Sequence, residues 1–86
     1  MTPAGREGQR RREKATAALS VLERRLASLK DKEDAARDRY RAACAEMFSG
    51  RGDSIAVERA EVALERAERD VRRARAASAY WREPAS

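Results

Sequence analysis

Few side chains in this sequence could carry covalent or metal chemistry. Its 86 residues include no histidine and a single cysteine, Cys44. Histidine is the commonest general base, and the usual zinc sites need several His or Cys ligands. A lone cysteine cannot form an internal disulfide, and within a helical pattern it is more often a small apolar filler than a nucleophile. We therefore expect no catalytic residue, no metal site and no cofactor.

Phosphate binding is the chemistry for which the sequence offers most side chains. Lys and Arg number 20 against 15 Asp and Glu, which gives a formal net charge of +5. Both ends of the chain are basic, since residues 1–14 and 72–86 each have a net charge of +3. Such a patch can displace counterions from a nucleic-acid backbone. The candidate basic patch consists of Arg10, Arg11, Arg12, Lys14, Arg72, Arg73, Arg75 and Arg82.

The stretch FSGRGDSI, residues 48–55, contains the Arg-Gly-Asp tripeptide that integrins bind on matrix proteins. That function requires export, and no apolar leader segment follows the basic N-terminal residues. A turn between two helices accounts for the same residues: Gly50 can end a helix in the left-handed conformation, and Gly52 reduces steric strain in a tight loop. Asp53 or Ser54 can cap the next helix. We interpret the stretch as a turn.

The helix breakers divide the chain into two long segments. Between those in the first eight residues and Pro84, the sequence has Gly only at Gly50 and Gly52. Segments this long without Gly or Pro favour helices. We predict a disordered N-terminal tail at 1–8, a helical hairpin at 9–83 and a C-terminal tail at 84–86. Within the hairpin we expect helix 1 at about 9–48, the turn at 49–53 and helix 2 at about 54–83.

Apolar residues recur in alternating steps of three and four, which is typical of a coiled-coil seam. The helix 1 seam is Ala15, Leu19, Leu22, Leu26, Leu29, Glu33, Ala36, Tyr40, Ala43 and Met47. The helix 2 seam is Val57, Ala60, Leu64, Ala67, Val71, Ala74, Ser78 and Trp81. Glu33 and Ser78 are its polar members; Glu33 either sets register and partner number or reaches solvent or a cation between the alanines.

The two seams match when the helices run in opposite directions. The two residue numbers of each facing pair then have the same total, as for Leu26 with Ala74 and Leu29 with Val71. Most layers oppose a large side chain to a small one, as dense packing requires. The sequence therefore predicts an all-α antiparallel two-helix hairpin (coiled coil). Because one seam of leucine and alanine is a small core, we expect assembly into a larger helical bundle.

Four large apolar residues fall outside the seam: Phe48, Ile55, Val62 and Val21. Phe48 lies at the predicted turn, and Ile55 and Val62 lie seven residues apart on another face of helix 2. Apolar residues that no core position explains are candidates for protein binding. We expect them to dock against another helix.

These features predict a non-enzymatic helical-hairpin adaptor, chaperone or inhibitor that binds protein through the apolar residues near the turn. The basic open end would steer and orient the partner. The partner is either another protein or a second copy, the latter giving a four-helix homodimer. The alternative is a nucleic-acid-binding hairpin dimer whose open-end arginines contact phosphates. We expect a soluble, cytoplasmic protein with no membrane segment and no small-molecule substrate.

Overall fold

The computed structural model is an elongated hairpin of two α-helices. It describes residues 3–82, with side chains from residue 5 onwards. Helix α1 spans Pro3–Phe48, helix α2 spans Ser54–Arg82, and the two pack against each other. The longest dimension of the molecule is 72 Å, close to the length of about 69 Å that 46 helical residues give at 1.5 Å each. The prediction of an all-α helical hairpin is confirmed.

Helix α1 begins earlier than the sequence suggested. We predicted a disordered tail at 1–8, whereas residues 3–8 form the first turns of α1. Proline fits the first position of a helix because its missing N–H would have no partner there. Each glycine costs only about 1 kcal/mol inside a helix, which the following long helical run can offset. Residues 1–2, the predicted last residue of helix 2 at position 83, and the predicted tail at 84–86 lie outside the described residues.

The most buried residues lie along the predicted seam. Ala36, Val71, Ala74 and Ser78 are the buried residues among those described, and Val71 retains only 2% of its accessible surface. The other seam residues are half-buried, except for Met47 and Trp81, which end the seam and are exposed. The seam is therefore the core, and it is a thin one.

An ion pair near the open end supports the predicted register. In that register Glu23 and Arg82 occupy equivalent positions beside the seam, and Arg82 Nη2 lies 3.1 Å from Glu23 Oε1. This pair joins the last residue of α2 to a residue just before the midpoint of α1. Roughly the first four turns of α1 therefore extend beyond α2 as a single helix, and residues 9–14 within this overhang are all exposed.

The turn closes with a Schellman motif centred on Gly50. The Arg51 N–H donates to the Glu46 carbonyl (2.9 Å), and the Gly50 N–H donates to the Met47 carbonyl (3.1 Å). These two bonds satisfy carbonyls that the end of α1 would otherwise leave unpaired. Gly50 has a φ of 78°, the left-handed region that glycine enters without strain. The prediction that Gly50 ends helix 1 is confirmed.

The start of α2 is capped by Asp53. Its Oδ1 accepts a hydrogen bond of 2.7 Å from the Ala56 N–H, which satisfies one of the free amides of the first turn. The sequence left Asp53 and Ser54 as alternatives, and the structure assigns the cap to Asp53. The interpretation of FSGRGDSI as a turn is thus confirmed, with Arg51 exposed at its centre.

Substitution of Gly50 should test the turn directly. Because a side chain is strained at the φ of 78°, Gly50→Ala should lower the free energy of unfolding by about 1 kcal/mol. Gly50→Asn should lower it less, since asparagine tolerates this conformation better than alanine. Urea unfolding followed by circular dichroism measures both. Equal stability of alanine, asparagine and glycine at position 50 would contradict the assigned turn.

Candidate functional site

Three of the predicted protein-binding residues lie near one end of the molecule. Phe48 is the last residue of α1 and is 93% exposed, while Ile55 is the second residue of α2. Val62 follows two turns further along α2, about 10 Å from Ile55 along the helix axis. We call Phe48, Ile55 and Val62 the turn-end surface. All three are among the exposed large hydrophobic residues of the described chain.

The fourth predicted residue, Val21, does not join this surface. It is exposed, but it lies 27 residues before Phe48 on α1, a distance of about 40 Å along the helix. The seam pattern does not predict the exposure of a different residue, Met47, which is a seam position but is 49% exposed beside Phe48. The signal was available, since Met47 is the last seam position before the turn and α2 has no seam residue left to cover it.

The predicted basic patch is spread along the molecule and not gathered at one point. Arg10, Arg11, Arg12 and Lys14 are exposed on the overhang of α1. In the register of the hairpin, Arg72 lies about 24 Å along the axis from Arg12. Arg82 is engaged by Glu23 at 3.1 Å, so part of its charge is neutralised within the hairpin. The open end is basic, but the predicted cluster is looser than the sequence suggested.

Glu33 reaches a cation at the edge of the seam. Its side chain is 17% exposed, and its Oε1 lies 3.3 Å from Arg37 Nη2, one turn later on the same helix. Arg37 also contacts Asp34 at 3.6 Å. The Glu33–Arg37 contact agrees with the prediction that the carboxylate reaches a cation, and the role in setting register and partner number stays a prediction. A bonded and partly hydrated carboxylate costs less at a helix interface than an isolated one.

Cys44 lies beside the phenol of Tyr40, one turn away on α1. Cys44 is a half-buried free thiol. Hydrogen bonding to Cys44 raises the pKa of Tyr40 above its ordinary value, and the charges of Cys44 and Glu61 act in the same direction, as does partial burial. Negative neighbours favour the neutral phenol.

Within residues 5–82, no cluster of three or more His, Cys, Asp or Glu side chains has a geometry that could hold a metal ion. Neither α1 nor α2, over the part the structure describes, has an apolar stretch sufficient to cross a bilayer.

Comparisons with known proteins do not place the chain in a family, so its class of protein is described by its fold. No family model matches the chain, and no curated protein and no solved structure matches it. The fold defines the class, a two-helix antiparallel coiled-coil hairpin. Its exposed features are an apolar turn end and a basic overhang.

Proposed function

We propose that this protein is a non-enzymatic helical-hairpin adaptor, of the chaperone or inhibitor kind, that binds a partner protein through its turn-end surface. The observation that carries the proposal is the exposure of Phe48, which keeps 93% of its surface in water at the end of α1. Fully burying a side chain of this size stabilises a complex by about 1.5–3 kcal/mol. A partner that covers both Phe48 and Ile55 would gain that stabilisation at two residues that flank the same turn.

The position of these residues supports the proposal more than their exposure alone. Single exposed apolar residues are normal on protein surfaces. Here Met47, Phe48 and Ile55 flank one turn and are all exposed. Aromatic residues and methionine are also enriched at protein interfaces. The turn end therefore has the composition of a binding surface.

The thin core supports assembly for a separate reason. Among the described residues, the buried set contains two alanines, one serine and one valine. A single core of this size rarely supplies more than about 3–5 kcal/mol of stability. A partner that covers further apolar surface would add to it by mass action. The net charge of +5 favours a partner with an acidic surface.

A double substitution at the turn end tests this function. Phe48→Ser with Ile55→Ser should leave the helical circular dichroism largely intact, because both residues are exposed. It should abolish capture of the partner from a lysate of the source cells. If the partner is a second copy, sedimentation should show the wild-type mass falling to the monomer mass of 9.7 kDa.

The matched control is Val21→Ser, which also removes an exposed apolar side chain but lies far from the turn. It should retain both partner capture and assembly. Assembly or capture that survives the double substitution, or that is lost equally in Val21→Ser, would show that the turn end is not the interface.

A further inference from the structure

The two long sides of the hairpin differ in charge. In an antiparallel coiled coil, each side is formed by equivalent positions of both helices beside the seam. One side contains the Glu23–Arg82 ion pair, and between residues 18 and 82 its acidic and basic residues are equal in number. The basic ones are Lys30, Arg37, Arg41, Arg72, Arg75 and Arg82. The acidic ones are Glu23, Asp34, Glu58, Glu61, Glu65 and Glu68.

The other side has an excess of positive charge. Over the same residues it carries six basic side chains and two acidic ones, Glu46 and Asp70. The basic ones are Arg25, Lys32, Arg39, Arg59, Arg66 and Arg73. The half-buried Ala18 and Ala77 lie on this side near the open end. The packing of these two alanines beside the seam agrees with the assignment of the side.

The six cations form a regular ladder. On each helix they are seven residues apart, which places successive members about 10 Å apart on one face. The register brings Arg25 within about 3 Å of Arg73 along the axis, and the next two pairs follow with the same offset: Lys32 with Arg66, then Arg39 with Arg59. We call these three pairs the basic ladder. Its two rows follow helices whose axes pack about 8–10 Å apart.

The ladder is open to an external anion. All six side chains are exposed, and within residues 5–82 none of them takes part in an ion pair, since those pairs involve Arg37 and Arg82. Between the two rows, beside the seam of α2, lie Ala63 and Asp70. Asp70 carries the one negative charge within the ladder, so positive charge stays in large excess there. Like charges held this close repel one another. The seam does not require them, because the opposite side of the same hairpin has balanced charge.

We propose that the basic ladder binds double-stranded nucleic acid through its phosphate backbone. Each duplex strand carries one phosphate per 3.4 Å of axis, so rungs about 10 Å apart match every third phosphate level. Two parallel rows of cations can contact the two strands that border a groove, and the small Ala63 between them leaves room for the backbone. Contacts of this kind to phosphate do not read base sequence.

The uncharged residues on this side favour a duplex over single-stranded nucleic acid and over an anionic membrane surface. Proteins that bind single strands stack bases on aromatic side chains, and the aromatic residue on this side, Tyr80, lies beyond the ladder near the open end. A helix that lies on a membrane needs a broad apolar face. Val21 is the large aliphatic residue on this side and also lies beyond the ladder, while Phe48, Ile55 and Val62 lie elsewhere on the hairpin.

Two triple variants with the same change in charge test the ladder. Arg59→Gln with Arg66→Gln and Arg73→Gln removes the α2 row. Arg41→Gln with Arg72→Gln and Arg75→Gln is the control, because it removes three exposed arginines from the opposite side. Glutamine and arginine have similar helix propensities, so both variants should fold, as circular dichroism will show. The probes are a fluorescent duplex DNA, a duplex RNA of the same length and a single-stranded DNA.

The wild type should bind a duplex with a steep dependence on salt. Six phosphate contacts give a slope of about −5 for log affinity against log salt, and loss of three contacts should reduce that slope by about 3. At 50 mM salt we expect the ladder variant to bind at least ~10-fold more weakly than the control variant. The Phe48→Ser, Ile55→Ser variant should bind duplex normally, so this site and the turn-end surface can fail independently.

Four results would overturn the proposal. The first is no binding of wild type to either duplex at low salt. The second is equal weakening by the two triple variants, which would reflect net charge alone. The third is loss of binding in Arg10→Gln with Arg11→Gln and Arg12→Gln while the ladder variant binds normally, which would place the site on the overhang. The fourth is tighter binding to the single strand, or to vesicles of anionic lipid, than to either duplex.

Discussion

Replacing Val71 with aspartate should unfold most of the hairpin. Val71 is the most buried side chain among the described residues, with 2% of its surface exposed. A carboxylate there has no cation within the seam, and an uncompensated buried charge costs about 3–5 kcal/mol. That is comparable to the whole stability that a core of this size supplies. Far-ultraviolet circular dichroism should show loss of most helical signal at room temperature.

Val62→Asp is the matched control for this experiment. It makes the same chemical change on the same helix, but at a side chain that is 46% exposed. Surface substitutions usually alter stability by no more than about 0.5 kcal/mol, so this variant should stay helical. If Val71→Asp unfolded at the same urea concentration as Val62→Asp, Val71 could not lie in a packed seam.

Removing the Ser78 hydroxyl should stabilise the protein. Ser78 is 3% exposed, and its Oγ has no hydrogen-bond partner within the described structure. A buried polar group without a partner costs roughly 1–3 kcal/mol, and alanine is also the better helix former. We expect Ser78→Ala to raise the free energy of unfolding by about 1–2 kcal/mol, which in a chain of this length raises the melting temperature by about 5 °C or more.

An exposed serine separates the two contributions. Ser28 lies on the surface of α1, so Ser28→Ala should gain only the difference in helix propensity, about 0.5 kcal/mol. Both variants should be compared by thermal unfolding at equal protein concentration, since assembly makes melting depend on concentration. A gain in Ser78→Ala no larger than in Ser28→Ala would mean that the buried hydroxyl is satisfied in solution.

The seam and the turn could be predicted because their signals are local and mutually consistent. The three-four spacing defines a face of each helix, and Gly50 defines where the chain reverses. Together they leave one register in which large side chains meet small ones. Within the turn, only the identity of the residue that caps α2 required the structure, because Asp53 and Ser54 are equally good capping residues by type.

The surface features were harder to predict because they depend on both helices at once. The net charge of successive sequence segments predicts that the positive charge lies at the two ends of the chain. That segment-by-segment charge does not reveal that Arg82 forms an ion pair with Glu23, which is 59 residues away in the sequence. The seven-residue spacing of Arg59, Arg66 and Arg73 was visible in the sequence. Its alignment with the row on α1 emerges only after the register is known.

The beginning of α1 was mispredicted for a different reason. Pro3, Gly5 and Gly8 are weak helix formers, and local propensity therefore favoured a tail. The structure continues α1 back to Pro3. Helix extension adds one residue at a time to an existing nucleus, which is far easier than starting a helix, so a long regular segment can carry weak formers at its end.

The tight reversal at Gly50 also orders the steps by which the hairpin can form. Ala43 and Val57, the facing pair nearest the turn, are separated by 14 residues, whereas Leu19 and Trp81 are separated by 62. Joining nearby residues loses less chain entropy than joining distant ones, and contacts between sequence neighbours form fastest. Folding should therefore start at the turn and add facing pairs one after another toward the chain ends, where thermal unfolding begins.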